Sequence, residues 1–200
     1  AFDTVGHKHI MNTLGILNIP RKLKLIIMEL QKGNSTVIEA QGRRTDPINI
    51  NCGVLQGAPL SPALYNIATD FILDELTEPT ISAKYGYQLV PHLPNLTCMG
   101  FADDTVIIAN NQENAAILTN MAKESFHEIG LQLNASKSVS INIVKGKIKH
   151  CPLIINNEFS IRSIEKHEKL RYLGINFNET LIVDSDKVVN DLKHSLVELV

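Results

Sequence analysis

The sequence predicts an α+β fold: an antiparallel sheet with helices packed on one face. Three observations lead there. Apolar residues recur at helical spacing in several long segments. Short runs between them alternate apolar and polar residues, the mark of half-buried strands. Glycine and proline separate the two kinds of segment, so connections are bent and elements short. At 200 residues and 44% hydrophobic, the chain has enough apolar surface for one large domain, or one domain with a small appendage.

Residues 7–17 read as a first helix, with Ile10, Leu14 and Leu17 on one face. Pro20 fits the first turn of a second helix, whose stripe is Leu23, Ile26, Ile27 and Leu30 and which Gly33 ends. Residues 35–40 and 47–51 read as strands joined by a polar Gly42-Arg43-Arg44 turn. Ser61 as cap and Pro62 at the first helical position open a third helix to about Leu76, with Leu64, Ile67, Ala68 and Phe71 at helical spacing. Residues 77–96 hold Pro79, Pro91 and Pro94 and read as a loop with a short strand near 85–90. Residues 97–109 read as two strands with Asp103-Asp104 at the bend. A helix over 112–129 turns Ala115, Leu118, Ala122, Phe126 and Ile129 inward and stops at Gly130. Val139, Ile141 and Ile143 alternate as a strand, 151–162 reads as a hairpin around Asn156-Asn157, and 169–177 as a further strand. Residues 184–199 have the pattern of an amphipathic helix.

No apolar run is long enough to span a bilayer, and the first residues lack a secretory pattern. Cys52, Cys98 and Cys151 are too far apart for a local metal knuckle; the odd count fits a reducing compartment. The net charge of −2 gives no hint of a polyanion partner, but its distribution is uneven. Residues 1–69 hold seven Lys or Arg against four acids, 70–128 two against nine, and 137–171 eight against three. A solvated surface gives the same counts, so charge alone does not decide.

Two constellations bear chemistry. Adjacent carboxylates such as Asp103 and Asp104 repel unless a cation sits between them, and a hard divalent ion resolves that repulsion. A bare pair is also a common solvated turn. The second constellation is Gly53-Val54-Leu55-Gln56-Gly57-Ala58-Pro59-Leu60-Ser61-Pro62, a stiff loop feeding a helix N-terminus. Its glycines allow close backbone approach to a ligand, and Gln56 both donates and accepts. Read alone, it is equally a structural loop.

Taken in order, these two segments resemble the second and third motifs of reverse transcriptases. The nearest likeness is to those of non-LTR retrotransposons, including elements that insert into ribosomal RNA genes. Ala1-Phe2-Asp3-Thr4-Val5 resembles the tail of the first motif. Gly130-Leu131-Gln132-Leu133-Asn134 with Lys137-Ser138 resembles the fourth, and Leu170-Arg171-Tyr172-Leu173-Gly174 the fifth, primer-gripping motif. The matches span nearly the whole chain.

The resemblance implies a polymerase palm over 1–177, with 178–200 opening a thumb or connecting helix. It implies an RNA-directed DNA polymerase that takes an RNA template, a DNA primer and deoxynucleoside triphosphates. Two Mg²⁺ ions, with Mn²⁺ as the alternative, would sit on Asp103, the principal ligand, and Asp104, the weaker one. Phe2 would crowd the sugar 2′-carbon and exclude ribonucleotides. Gln56 and Gly57 would line the nucleotide and template base. Lys137 would protonate the leaving pyrophosphate, and Arg171 and Tyr172 would lie near the primer. Phe2 as a plain core residue, Lys137 as a surface lysine, and Arg171 and Tyr172 as ordinary strand residues are the competing readings. One departure matters: the family's first motif carries a metal-binding Asp ahead of the Ala-Phe pair, and the chain opens at that Ala. The chain is therefore expected to be an internal piece of a polyprotein, without fingers and inactive alone. The parent would also carry an endonuclease and work in the nucleus. An RNA-binding remnant that no longer polymerises, and an RNA-directed RNA polymerase, are the rival functions.

Overall fold

The computed structural model describes residues 2–177. The chain divides into two compact units, Ala1–Leu133 and Asn134–Val200. The expected helix at 184–199 and the thumb boundary at 178 lie outside the described residues.

The first unit begins with a turn over residues 2–5 that buries Val5 completely. Helix α1 (His7–Ile16) follows and buries Ile10 and Leu14, as their spacing predicts; Leu17 falls one residue past the helix and is exposed. Helix α2 (Arg21–Gln31) departs from expectation. Only Ile27 of its apolar stripe is buried, while Leu23, Ile26 and Leu30 stand 45%, 56% and 55% exposed. Helical periodicity fixes a stripe, but burial needs a neighbour to cover it.

Strands β1 (Ser35–Thr36) and β4 (Ile48–Asn49) pair antiparallel, as do β2 (Glu39–Ala40) and β3 (Arg43–Arg44). The turn between β2 and β3 is Gln41-Gly42, both at positive φ, and Arg43-Arg44 belong to the strand instead. Two consecutive left-handed residues suit the twist of a two-residue hairpin.

Helix α3 (Ser61–Thr77) is the spine of the unit. It buries Leu64, Tyr65, Ala68, Ile72 and Leu76, a stripe rotated from the expected one, leaving Phe71 on its edge. Ser61 is its first residue rather than its cap. Tight turns, with Ala58 N–H donating to Leu55 O and Ser61 N–H to Ala58 O, already bring the chain into the helix, so no side-chain cap is used. The loop expected over 77–96 opens with a helix, α4 (Pro79–Tyr85), and the short strand expected near 85–90 is a single antiparallel bridge, Tyr87 to Leu96. Glu78 accepts from Thr80 and Ile81 N–H at 2.9 and 3.2 Å, and Pro79 sits at the first helical position, where its missing N–H costs nothing.

Strands β5 (Cys98–Phe101) and β6 (Asp104–Ile107) form a hairpin whose two-residue turn is Ala102-Asp103. Cys98 is buried, and Gly100, on the same face of the strand, lies close to α3: a Cβ on it would lie 2.9 Å from Leu73. Met99 and Phe101, on the other face, are 46% and 64% exposed. Helix α5 (Gln112–Glu128), capped by Asn111, packs Leu118 and Ala122 into the same core, with Ile129 buried beyond its end.

The described part of the second unit is built of hairpins. Strand β7 (Asn142–Val144) pairs with β8 (Lys147–Lys149), β9 (Leu153–Ile154) with β10 (Ser160–Ile161), and β11 (Leu170–Tyr172) with β12 (Ile175–Phe177). The hairpin around Asn156-Asn157 was legible. The single strands expected near 139–143 and over 169–177 are instead hairpins turning at Lys145-Gly146 and Leu173-Gly174, with both residues of each turn at positive φ. Leu153, Ile161 and Ile164 are buried here. The architecture is α+β, and its antiparallel strands form six two-stranded sheets among the described residues rather than the one sheet expected.

Candidate active site

The first unit brings together the N-terminal turn, the loop before α3 and the β5–β6 hairpin. Backbone bonds strap turn to loop: Val54 N–H donates to Phe2 O and Gly53 N–H to Val5 O, each at 2.7 Å. The His7 imidazole donates to Gly53 O at 2.8 Å, and the Cys52 thiol to Asp3 O at 3.4 Å. Gln56 aims its amide at both carboxylate oxygens of Asp3, at 3.0 and 3.1 Å. Gly6 N–H donates to Ile129 O, which ties the same turn to the end of α5. Gly57 is exposed and turns the loop at φ +86°.

Phe2 is half-buried and stacks on Tyr65 of α3, ring centroids 4.6 Å apart and planes 17° from parallel. Burial and, second to it, the negative charge of Asp103 push the Tyr65 phenol up to about 12. Phe2 and Tyr65 thus share one neighbourhood, and the hairpin that carries Asp103 packs on the same helix, with Gly100 against Leu73.

Asp103 lies in the turn and Asp104 opens β6 opposite Phe101; both are exposed. Among the described residues neither carboxylate has a hydrogen bond or ion pair. Hard oxygen donors without protein partners fit an oxygen-loving divalent cation. The donor set is a pair: no group of three or more His, Cys, Asp or Glu able to hold a metal occurs among the described residues.

The remaining expected site residues belong to the second unit. Lys137 is exposed in a turn organised by Asn134, whose side chain accepts from Ser136 and Lys137 N–H. Arg171 and Tyr172 pair with Asn176 and Ile175 in β11–β12 and, as neighbours in a strand, point to opposite faces. Sequence reasoning missed Asp3, His7 and Tyr65. The one available signal was an aromatic beside the helical stripe of α3.

A family model for reverse transcriptase (RNA-dependent DNA polymerase) matches residues 1–177. The Retrovirus-related Pol polyprotein from type-2 retrotransposable element R2DM of Drosophila melanogaster is 30% identical over 186 residues, 90% of this chain. Those from type-1 retrotransposable element R2 of Nasonia vitripennis and Popillia japonica are 29% and 31% identical, over 89% and 87% of the chain. The chain spans 17% of the length of the first two relatives and 24% of the third. With a matching family model over nearly its whole length and R2 polyproteins as relatives, the chain belongs to the reverse transcriptase family.

Proposed function

We propose that the chain is the palm of an RNA-directed DNA polymerase within a non-LTR retrotransposon polyprotein, extending a DNA primer on an RNA template. The observation that carries this reading is that one unit holds Phe2, bonded through its backbone to the Gln56 loop and stacked on Tyr65 of α3, and the Asp103 turn, whose hairpin packs on the same helix. In the reaction the primer 3′-hydroxyl forms a bond to the α-phosphate of a deoxynucleoside triphosphate, the bond to the β-phosphate breaks, and pyrophosphate leaves. Asp103 and Asp104 hold divalent metal, Mg²⁺ in this reading, which when bound supplies charge neutralisation for the phosphates and lowers the pKa of the attacking hydroxyl. The chain's own contribution is positioning. Phe2 closes the space a ribose 2′-hydroxyl needs. Gln56 and Gly57 line the nucleotide, with Gln56 held by Asp3. Lys137 donates a proton to the departing pyrophosphate, and Arg171 or Tyr172 steadies the primer strand. The parent protein carries an endonuclease besides and works at chromosomal DNA in the nucleus.

The alternative is an RNA-binding remnant of such a domain without polymerase activity. One experiment separates them. In the full-length protein, Asp103→Asn should lower primer extension by roughly 10²–10³-fold or more, the scale of removing a group that acts on transition-state charge. Template binding in a mobility-shift assay should stay near wild type. Extension near the wild-type rate in that variant would exclude the metal role of Asp103. A wild-type protein that binds RNA but never extends would establish the remnant.

A further inference from the structure

We infer that Tyr65 is a specificity-determining positioning residue: its buried ring backs Phe2 and fixes how far Phe2 reaches toward the sugar of the incoming nucleotide. The inference rests on the reading of Phe2 as the sugar gate. Three observations carry it. Phe2 stacks nearly parallel on Tyr65, at 4.6 Å and 17°. Tyr65 is 1% exposed, held in the core stripe of α3 with Leu64 and Ala68, so the plate under Phe2 is packed in by the core. The backbone of Phe2 is pinned as well, its carbonyl accepting from Val54 N–H at 2.7 Å. With the backbone fixed, the ring retains two soft torsions. A flat, core-packed neighbour at stacking distance removes that freedom. A gate works by steric clash, so its selectivity is only as sharp as the ring's position. A flexible side chain at position 65 would let Phe2 swing aside and admit the 2′-hydroxyl.

The test compares kcat/KM for matched deoxy- and ribonucleoside triphosphates in the full-length protein. Tyr65→Phe keeps the stack and should keep wild-type sugar discrimination. Tyr65→Leu should lower discrimination roughly three- to tenfold, the factor set by an aromatic pair of ordinary strength. The change should come mainly from a lower KM for the ribonucleotide. A merely structural Tyr65 would instead depress both substrates alike and leave their ratio unchanged. Should the Leu variant not fold, Tyr65→Met, closer in volume and adaptable, reads the same quantity. Phe2→Val, alone and combined with Tyr65→Leu, completes the cycle. If Tyr65 acts through Phe2, the double variant discriminates no worse than Phe2→Val. Relaxed discrimination in Phe2→Val with a wild-type ratio in Tyr65→Leu and Tyr65→Met would overturn the role of Tyr65 and leave the gate standing. An unchanged ratio in Phe2→Val would remove the gate itself, and this inference with it.

Discussion

Gly53 shows how a correct residue-level expectation acquired a different meaning. The sequence marks it as a place of close backbone approach, and the expected visitor was a ligand. The visitor is the chain itself: a Cβ at Gly53 would lie 2.6 Å from the backbone of Asp3, and φ is +83°. Both features exclude a side chain, one by space and one by conformation. Gly53→Ala should therefore destabilise the protein by about 2–4 kcal/mol, combining left-handed strain with overpacking. Urea denaturation of the variant measures this. A loss below roughly 0.5 kcal/mol would show that turn and loop are not so closely strapped. The same variant should slow extension, because Gln56 and Phe2 take their places from that strap.

Among the elements, two-residue turns were the least legible. Gln41-Gly42, Lys145-Gly146 and Leu173-Gly174 each reverse a strand within two residues, yet only a glycine marks them in sequence. Helix α4 was missed because Pro79, read as a breaker, stands where a helix begins. A specific ion pair also ties elements of the second unit. Arg162, just after β10, meets Glu168, just before β11, through two hydrogen bonds of 2.8 and 2.6 Å. These bonds, with the N–H of Glu165 and then the positive charge of Arg162, pull the Glu168 carboxyl from its ordinary 4.5 down to about 2. A carboxyl depressed by folding contributes stability that is complete above its unfolded pKa and fades as pH falls through its folded one. The second unit should thus lose stability between about pH 4.5 and 2. Amide exchange at Ser140, which donates to Arg162 O, reports on it after correction for the intrinsic rate. Glu168→Gln should flatten that dependence; an unchanged pH profile in the variant would assign the acid sensitivity to other groups. Arg162 is about half exposed, so solvent screening keeps the effect modest.

For the whole molecule, the decisive quantity is the number of metal-binding groups. Asp103 and Asp104 are adjacent, and among the described residues no third ligand joins them. The 200-residue chain by itself should give no measurable primer extension with Mg²⁺, whereas the full-length protein should extend. Robust extension by the chain alone would mean that two carboxylates and the substrate phosphates suffice, and the expectation of a further Asp would fall. The R2 relatives, of which this chain matches 17–24%, leave ample length for further domains. Among the described residues no helix is long and apolar enough to cross a membrane.

The sequence by itself determined the α+β character, the helices α1, α3 and α5, and the β5–β6 hairpin. All of these follow from rules that act between near neighbours: spacing, proline and glycine placement, alternation. It did not determine that the stripe of α2 would stay exposed, that α3 would turn Tyr65 inward, or that Asp3 would hold Gln56. Those facts depend on pairs such as Gln56 and Asp3, 53 residues apart, whose meeting no local pattern encodes. Tertiary structure alone set Phe2 against Tyr65 and packed the hairpin that carries Asp103 on the same helix. The physical reason is that a short-range signal fixes which side chains an element presents, whereas packing fixes what they meet.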